Sequence, residues 1–387
     1  MGFASALPIL RGADAPSGYG GRLLVLRDRL LSSPSFQRWA SRFPLTRPIA
    51  RRRTRALFDL CAGFVYSQVL FACVRLRLCE ILLEGPQTLD QLATRLALPV
   101  DAASRLLEAA IALQLAERRG SLFGVGSLGA ALAGNPGVAA MVEHHSMLYA
   151  DLRDPVALLR GESPATSLGA HWPYAARNQT LTPETVAPYS ALMAASQPLV
   201  AADVLAAYRV GQHRCLLDVG GGDGTFLSAV AAAAPKLQLM LFDLPAVADR
   251  ARLRFAASGL KAQIFGGDFY TDALPSGADI ISFIRVIHDH DDAAALAVLR
   301  AAYRALPPGG TVLLAEPMAG TAGAESVGAY FGFYLLAMGS GRPRRSEELT
   351  DMLQQAGFDR VRLLPTHQKL LVRLLVASKT LDNVNPS

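Results

Sequence analysis

The stretch LLDVGGGDGTF at 216–226 constrains the fold more than any other part of the chain. An apolar run ends in Asp218, and Gly220, Gly221, Gly222 and Gly224 follow before the chain turns apolar again. A short, wholly apolar run reads as a strand buried on both faces, as in a parallel sheet. Glycines after it permit positive backbone angles and let a ligand approach the main chain without meeting a side chain. In dinucleotide-binding proteins the third glycine of such a turn comes three residues after the second. Counted from Gly220 and Gly222, that position is Thr225, so the spacing is instead Asp218-x-Gly220-x-Gly222-x-Gly224 and a nicotinamide oxidoreductase is the least favoured reading.

The remainder of the second half agrees with a parallel sheet. Strands are expected at 215–220, 237–244, 262–268, 279–287 and 311–317, separated by segments of helical period such as AVADRARLRFAASG and DDAAALAVLRAAYRALPPGG. Near-continuous apolar strands alternating with helices describe a sheet covered on both faces. VRLLPT and KLLVRLLVAS near the end read as an antiparallel pair closing one edge. Asp243 closes the second strand, 25 residues after Asp218, where an acid can accept both hydroxyls of a ribose. After the third strand, GGDFY puts Asp268 and Phe269 where an adenine could be hydrogen-bonded and stacked. Each acid alone could be a cap or a loop residue; together at successive strand ends they point to a nucleoside-like cofactor.

Three sections are read: an N-terminal arm over 1–50, a helical domain over 51–209 and the sheet domain over 210–387. The arm mixes Pro, Gly, Ser and Arg without sustained period. Within the helical domain, 88–129 has a winged helix-turn-helix grammar: a helix from Thr88, a turn at Leu98 and Pro99, a second helix capped by Asp101 with Leu106, Leu107, Ala110, Ile111 and Leu115 on one face, then the hairpin-like RRGSLFGVG. The second helix offers Arg105 and Glu108 but no row of side chains suited to base edges, so packing against a partner subunit is preferred to reading DNA. The net charge of +6 comes mainly from arginine, much of it in RPIARRRTR at 47–55. We read that run as a solvated helix start, with peripheral contact to a membrane left open. Cys61, Cys73, Cys79 and Cys215 sit in apolar stretches without ligand spacing and read as buried thiols of a reducing, cytoplasmic compartment. No secretory leader is apparent, and LCAGFVYSQVLFACV at 60–74 reads as a buried helix, too short and too polar at Ser67 and Gln68 to span a bilayer.

The ordered set LLDVGGGDG, FDLPAV, GGDFY, IRVIHDHDD, ALPPGGTVLLAEP and LTDMLQQAGF is similar to the plant and bacterial small-molecule O-methyltransferases that carry an N-terminal helical dimerisation domain; the likeness covers roughly 55–380. Within them the chain most resembles the bacterial carotenoid O-methyltransferases of the hydroxyneurosporene or demethylspheroidene type, on GFASALPILRGADAPSG (2–18) and GSGRPRRSEEL (339–349). The resemblance implies an α/β fold, a Rossmann-like class I methyltransferase sheet preceded by a mostly helical winged-helix dimerisation domain. It implies S-adenosylmethionine as cofactor, held by Asp218, Gly220, Gly222, Gly224, Asp243, Leu244, Asp268, Phe269 and Arg285. It also implies a homodimer without a metal, a lipophilic acceptor such as a 1-hydroxy acyclic carotenoid, no nucleic-acid partner, and a cytoplasmic enzyme that could lie at the inner or photosynthetic membrane.

Methylating a hydroxyl needs the oxygen in line with the methyl and a base to take the proton. His288, directly after the fourth strand, has the right ordinary pKa for that task. The resemblance makes it the general base, with Glu316 orienting it and Asp289 beside it; a helix-capping or core histidine is the plainer alternative. Asp289, Asp291 and Asp292 also suit the first turn of a helix, and HDHDD lacks the i, i+4 histidine pair of a metal site. Two departures stand out. Relatives carry a glutamate in a GGxERT segment where this chain has GRPRRS with Pro343, leaving Arg344 and Arg345 without an assigned part; and Ile284, next to Arg285, stands where plant enzymes have a lysine. For the acceptor, Met147, Trp172, Phe331, Tyr334, Leu335 and Met338 are candidate pocket walls, with Tyr149, His171 and Tyr174 nearby, and ordinary core packing is the competing account. Competing functions are methylation of a phenolic or polyketide hydroxyl and, in another class, a winged-helix regulator with S-adenosylmethionine as effector.

Overall fold

The computed structural model describes residues 19–172 and 182–380 and divides into two compact units, Met1–Ala72 and Cys73–Ser387. Residues 2–18 and Tyr174, which entered the sequence reading, lie outside the described residues.

The first unit is helical: α1 (Tyr19–Ser32), α2 (Pro34–Arg42) and most of α3 (Arg47–Arg75). Ser33 caps α2 by accepting from Phe36 N–H, and Pro34 supplies the preset φ of a first helical residue. Two expectations are corrected. From Tyr19 onward the supposed arm is helix, because its turn residues Ser33, Pro34 and Pro44 separate short helices instead of loosening the chain. The 60–74 segment is not a buried helix in this unit: Leu57, Phe58, Leu60, Phe64 and Val65 are each more than half exposed, and Cys61 is exposed too. By length and composition alone α3 could cross a membrane, since Ser67 and Gln68 do not offset the apolar residues around them.

The second unit opens with α4 (Leu78–Leu83), α5 (Leu89–Leu96), α6 (Val100–Ala112), β1 (Ala116–Arg119), β2 (Leu122–Val125) and α7 (Ser127–Ala133), the expected winged-helix order. Thr88 and Gln91 form a reciprocal capping box at α5, and Ala97, in the left-handed region, ends that helix. Asp101 does not cap α6; Pro99 precedes the helix and Asp101 sits in its first turn, where it complements the dipole. Ala103, Leu107 and Ala110 form the buried side of α6, and Glu108 is paired with Arg118 of the wing. There follow α8 (Pro136–Asp151), α9 (Pro155–Leu159), α10 (Ser167–His171) and α11 (Pro183–Ala207).

The sheet comprises β3 (Cys215–Val219), β4 (Gln238–Asp243), β5 (Gln263–Gly266), β6 (Ile280–Ile284), β7 (Thr311–Glu316), β8 (Asp359–Leu364) and β9 (Arg373–Ser378), in the order β5-β4-β3-β6-β7-β9-β8. The first five are parallel, and β9 and β8 add an antiparallel edge, as the sequence led us to expect. The intervening helices are α12 (Thr225–Ala233), α13 (Pro245–Ser258), α14 (Asp292–Ala305), α15 (Glu325–Met338) and α16 (Ser346–Gln355). Alternation sends Leu217, Val219, Met240 and Phe242 into the core on one face and Leu216, Leu239 and Leu241 into the core on the other. The boundary read at 209/210 falls within this unit, where α11 packs against α12 and α13. Between β3 and β6, adjacent strands whose chain crosses to opposite sides, lies the switch point of the sheet, and ligands of open α/β sheets bind there.

Candidate active site

At the end of β3 the glycines divide their work. Gly220, Gly222 and Gly224 all have positive φ, of 69°, 60° and 82°. A Cβ on Gly222 would meet nothing within 4 Å, whereas one on Gly224 would lie 2.1 Å from the Phe255 ring. Gly222 thus bares the backbone toward open space, and Gly224 lets α12 and α13 close on one another. Asp218 is 1 % exposed beneath the turn, bonded through one oxygen to Ser282 Oγ (2.6 Å), and burial pushes its carboxyl up to about 7. It supports the loop from below instead of facing a ligand.

A cleft of about 690 Å³, open solvent included, is bordered by Gly220, Gly222, Asp223, Phe269, Arg285, Val286, Asp289 and Trp172. Asp243, buried at the end of β4, accepts from Gly222 N–H of the cleft's glycine turn (2.8 Å) and from Leu244 N–H (2.7 Å), so the ends of β3 and β4 are tied to one carboxylate. Leu244 itself packs on Val186, and Asp268 accepts from Tyr270 N–H (2.9 Å); neither borders the cleft, although both sit at strand ends. Phe269 meets His290 edge-on, with ring centroids 5.3 Å apart. Glycine turn, buried strand-end acid and half-buried aromatic ring lining the cleft together suit the polar tail, ribose and base of a nucleoside cofactor.

Beyond β6 the chain does not continue as a strand to 287. Arg285 takes φ +57°, a strained setting for a side chain with a Cβ, and Ile287–Asp289 form one 3₁₀ turn. Arg285 is held there by Ser196 Oγ (2.9 Å), Met193 O (3.1 Å) and Gln197 Oε1 (2.6 Å), all on α11. The turn presents His288, 8 % exposed, to Glu316 at the end of β7. Glu316 Oε1 accepts from the N–H groups of Val286 (3.0 Å) and Ile287 (2.8 Å), while Oε2 faces His288 Nδ1. A carboxylate already accepting from two amides accepts from Nδ1 as well, so the neutral imidazole carries its proton on Nδ1 and its lone pair on Nε2. Nε2 lies 3.1 Å from Asp289 Oδ1. Burial opposes charging His288, but the carboxylates of Asp289 and Glu316 outweigh it and raise the imidazole above its ordinary value.

Arg344, unassigned by sequence, is the largest side chain buried to less than 2 % exposure. Its guanidinium donates to Ile287 O (2.8 Å), His290 O (2.6 Å) and Asp292 Oδ1 (2.7 Å). It therefore clamps both sides of the turn that carries His288. Where relatives of the resemblance have a second carboxylate near the histidine, this chain has Pro343 followed by a positioning arginine. Its sequence signal is the run Arg342-Pro343-Arg344-Arg345 in a Gly- and Ser-rich turn before α16, which does not tell a buried guanidinium from a solvated one.

A second cavity, about 1410 Å³ with open solvent included, lies on the other side of His288. Its walls are mainly apolar: Val138, Met141, Val142, Leu199, Val327 and Phe331. Phe331, whose ring lies edge-on to His288 at 5.6 Å, and Tyr334 were expected there. Trp172 borders the cofactor-sized cleft instead, and Leu335 and Met338 are buried in the cluster with Leu148, Leu158 and Leu168, against which Met147 packs. These three are core residues, because the face of α15 that bears Leu335 and Met338 turns toward α9 and α10. The sequence reading missed the α8 and α11 walls, and the pairs His145–Tyr330 (2.7 Å) and His144–Tyr334 (2.9 Å) that join α8 to α15. Arg285 and Asp289 border both cavities. Among the described residues, no group of three or more His, Cys, Asp or Glu is placed to hold a metal ion.

Residues 149–359 match the model of the O-methyltransferase domain and 58–129 that of the O-methyltransferase dimerisation domain. The chain is 42 % identical over 372 residues to the demethylspheroidene O-methyltransferase of Cereibacter sphaeroides, covering 95 % of this chain and 98 % of that protein. It is 41 % identical to the enzyme of the same name from Rhodobacter capsulatus, covering 87 % and 85 %. Among solved structures, the mitomycin 7-O-methyltransferase MmcR superposes with a TM-score of 0.71 at 25 % identity, over 86 % of this chain and all of that one.

Proposed function

The chain belongs to the O-methyltransferase family, and from that premise we propose that it transfers a methyl group from S-adenosylmethionine to a hydroxyl on a lipophilic acceptor, a 1-hydroxylated acyclic carotenoid. The observation that carries this reading is the placement of His288: paired with Glu316 through Nδ1 and with Asp289 through Nε2, it borders a large, mainly apolar cavity. The names of the two carotenoid-modifying relatives support the acceptor class.

The residues of the first cleft fit the cofactor. Gly222 leaves room for it against the backbone, Asp243, bonded to Gly222 N–H at the end of β4, is the acid nearest the ribose position, and Phe269 lines the cleft where the base would lie. When bound, S-adenosylmethionine supplies a methyl already activated by a sulfonium, so the protein's contribution is alignment and removal of one proton. The apolar walls hold the acceptor chain and exclude water. Its terminal hydroxyl reaches Nε2 of His288, displacing the Asp289 carboxylate from that nitrogen. His288 would take the hydroxyl proton, and Glu316 would stabilise the resulting imidazolium through Nδ1. Arg285, Asp289 and Arg344 keep the turn in register with both cavities.

The match over 58–129 supports a homodimer, and the apolar face of α3 exposed in the single chain is consistent with a covering second copy. Four free thiols, three of them buried, support a reducing, cytoplasmic setting. The test of the acceptor is a competition: purified protein with methyl-labelled S-adenosylmethionine and, separately, a detergent-dispersed 1-hydroxy acyclic carotenoid and a series of soluble phenols. A kcat/KM at least about tenfold higher for the pigment is expected; preference for a phenol would overturn the acceptor assignment and leave the family intact.

A further inference from the structure

The segment that precedes the matched dimerisation region carries an unusual combination of charge and exposed apolar surface. From Arg22 to Arg55 there are ten arginines and a single acid, Asp28. Among the described residues of the first unit, the ion pairs are Arg27–Asp28 and Arg55–Asp59, so the other eight arginines have no carboxylate partner. Interspersed with them, Leu23, Leu24, Leu26, Leu30, Trp39, Phe43, Leu45 and Ile49 are all exposed.

The pattern is most ordered on α2. Phe36, Trp39 and Phe43 follow one another at helical spacing, with Trp39 stacked on Phe43 at 5.0 Å and tilted on Phe36 at 5.6 Å. Arg38 and Arg42 border the same shallow groove as Trp39, Phe43 and Pro44. Aromatic rings rimmed by guanidinium groups suit the headgroup level of a bilayer, where the rings enter the acyl boundary and the cations stay with phosphate. From this we infer that α1, α2 and the arginine-rich start of α3 form a docking surface for anionic lipid.

Charge complementarity selects that occupant. A second copy seated on this face would set arginines against arginines, and the dimerisation match begins only at residue 58. A nucleic-acid backbone would satisfy the arginines but offer no apolar phase to Leu23, Trp39 or Leu45. The inference goes beyond the acceptor reading and does not need it, although a lipophilic acceptor dissolved in a bilayer would be met more often by an enzyme held at its surface.

The full-length protein is to be co-sedimented with vesicles of phosphatidylcholine alone and with vesicles containing about three parts in ten of phosphatidylglycerol. Binding at least about tenfold stronger to the anionic vesicles is expected, lost when salt rises from about 0.05 M to about 0.5 M. Replacing Arg51, Arg52 and Arg53 together by Gln should weaken binding on the order of a hundredfold. The independent pair Trp39→Ser and Phe43→Ser should weaken it about tenfold while leaving methyl transfer to a detergent-dispersed acceptor unchanged. Equal binding to neutral vesicles, binding that survives high salt, or variants that bind like the parent would overturn the inference. So would tighter binding to a DNA duplex than to anionic vesicles, or assemblies above the dimer that dissociate in the same variants.

Discussion

Glu316→Gln separates orientation of the base from construction of the site. The amide oxygen can still accept from Val286 and Ile287 N–H, now at 3.0 and 2.8 Å, so the turn keeps its anchor. The amide nitrogen, however, faces His288 Nδ1 with a donor against a donor. The imidazole relieves this by moving its proton to Nε2, the nitrogen that must receive the hydroxyl proton, and the carboxylate that stabilised the imidazolium is gone. Loss of a positioned general base costs about 10²–10⁴-fold, or about 3–5 kcal/mol of barrier. We expect kcat to fall by that factor while the dissociation constant for S-adenosylmethionine stays within about threefold. The pH profile gives a second reading. His288 is raised above 6.5, with burial opposed and outweighed by Asp289 and Glu316, and it is the neutral form that accepts a proton. The wild-type rate should therefore rise with pH through a midpoint above 6.5, and the variant's residual rate through a lower one. The same sign applies to folding: the pair stabilises fully below the unfolded histidine's pKa and less as pH climbs through the folded one. Initial rates across about pH 5.5–9 with equilibrium cofactor binding decide the matter. A kcat within threefold of wild type, or a midpoint displaced upward, would refute the assignment.

The two glycines should part company: Gly222→Ala costs about 1 kcal/mol of stability for its left-handed backbone but weakens cofactor binding at least tenfold, whereas Gly224→Ala, driven into Phe255, costs about 2–5 kcal/mol in denaturant unfolding. Asp218, raised by burial to about 7, binds a proton in the folded state that the unfolded chain releases, so wild-type stability falls as pH rises from about 4 to 7. Asp218→Asn should lack that decline, a difference of up to roughly 4 kcal/mol read from melting at successive pH values. Arg344→Met leaves the buried carbonyls of Ile287 and His290 without this donor, Asp292 keeping Arg342, and should cost about 3 kcal/mol and lower kcat; Arg344→Lys, which keeps the charge without the fork, should recover part of both, with cofactor affinity unchanged throughout.

Much of this was readable from residues because parallel strands and glycine turns obey local rules. β3 to β7 end within a few residues of the apolar runs, since each strand stops where its last buried side chain does. Asp243, Phe269, His288 and Glu316 occupy strand ends, the positions that sequence order alone assigns to the ligand edge. What failed depends on long-range packing. Leu335 and Met338 have the same spacing as Phe331 and Tyr334, and only the neighbours of α15 decide that one set meets core and the other a cavity. Arg344 looks like any surface arginine until the turn after β6 leaves the carbonyls of Ile287 and His290 turned inward. The 60–74 helix is apolar for a reason that a single chain cannot bury, and composition alone does not say what covers it.

The most direct test of the account is transfer of labelled methyl from S-adenosylmethionine to a detergent-dispersed 1-hydroxy acyclic carotenoid by the wild-type protein and by His288→Ala, with cofactor binding measured in parallel. Label is expected in the pigment with the wild type, with a loss of at least about a hundredfold in the variant and similar cofactor affinity in both. Undiminished labelling by His288→Ala would contradict the assignment of His288 as the base.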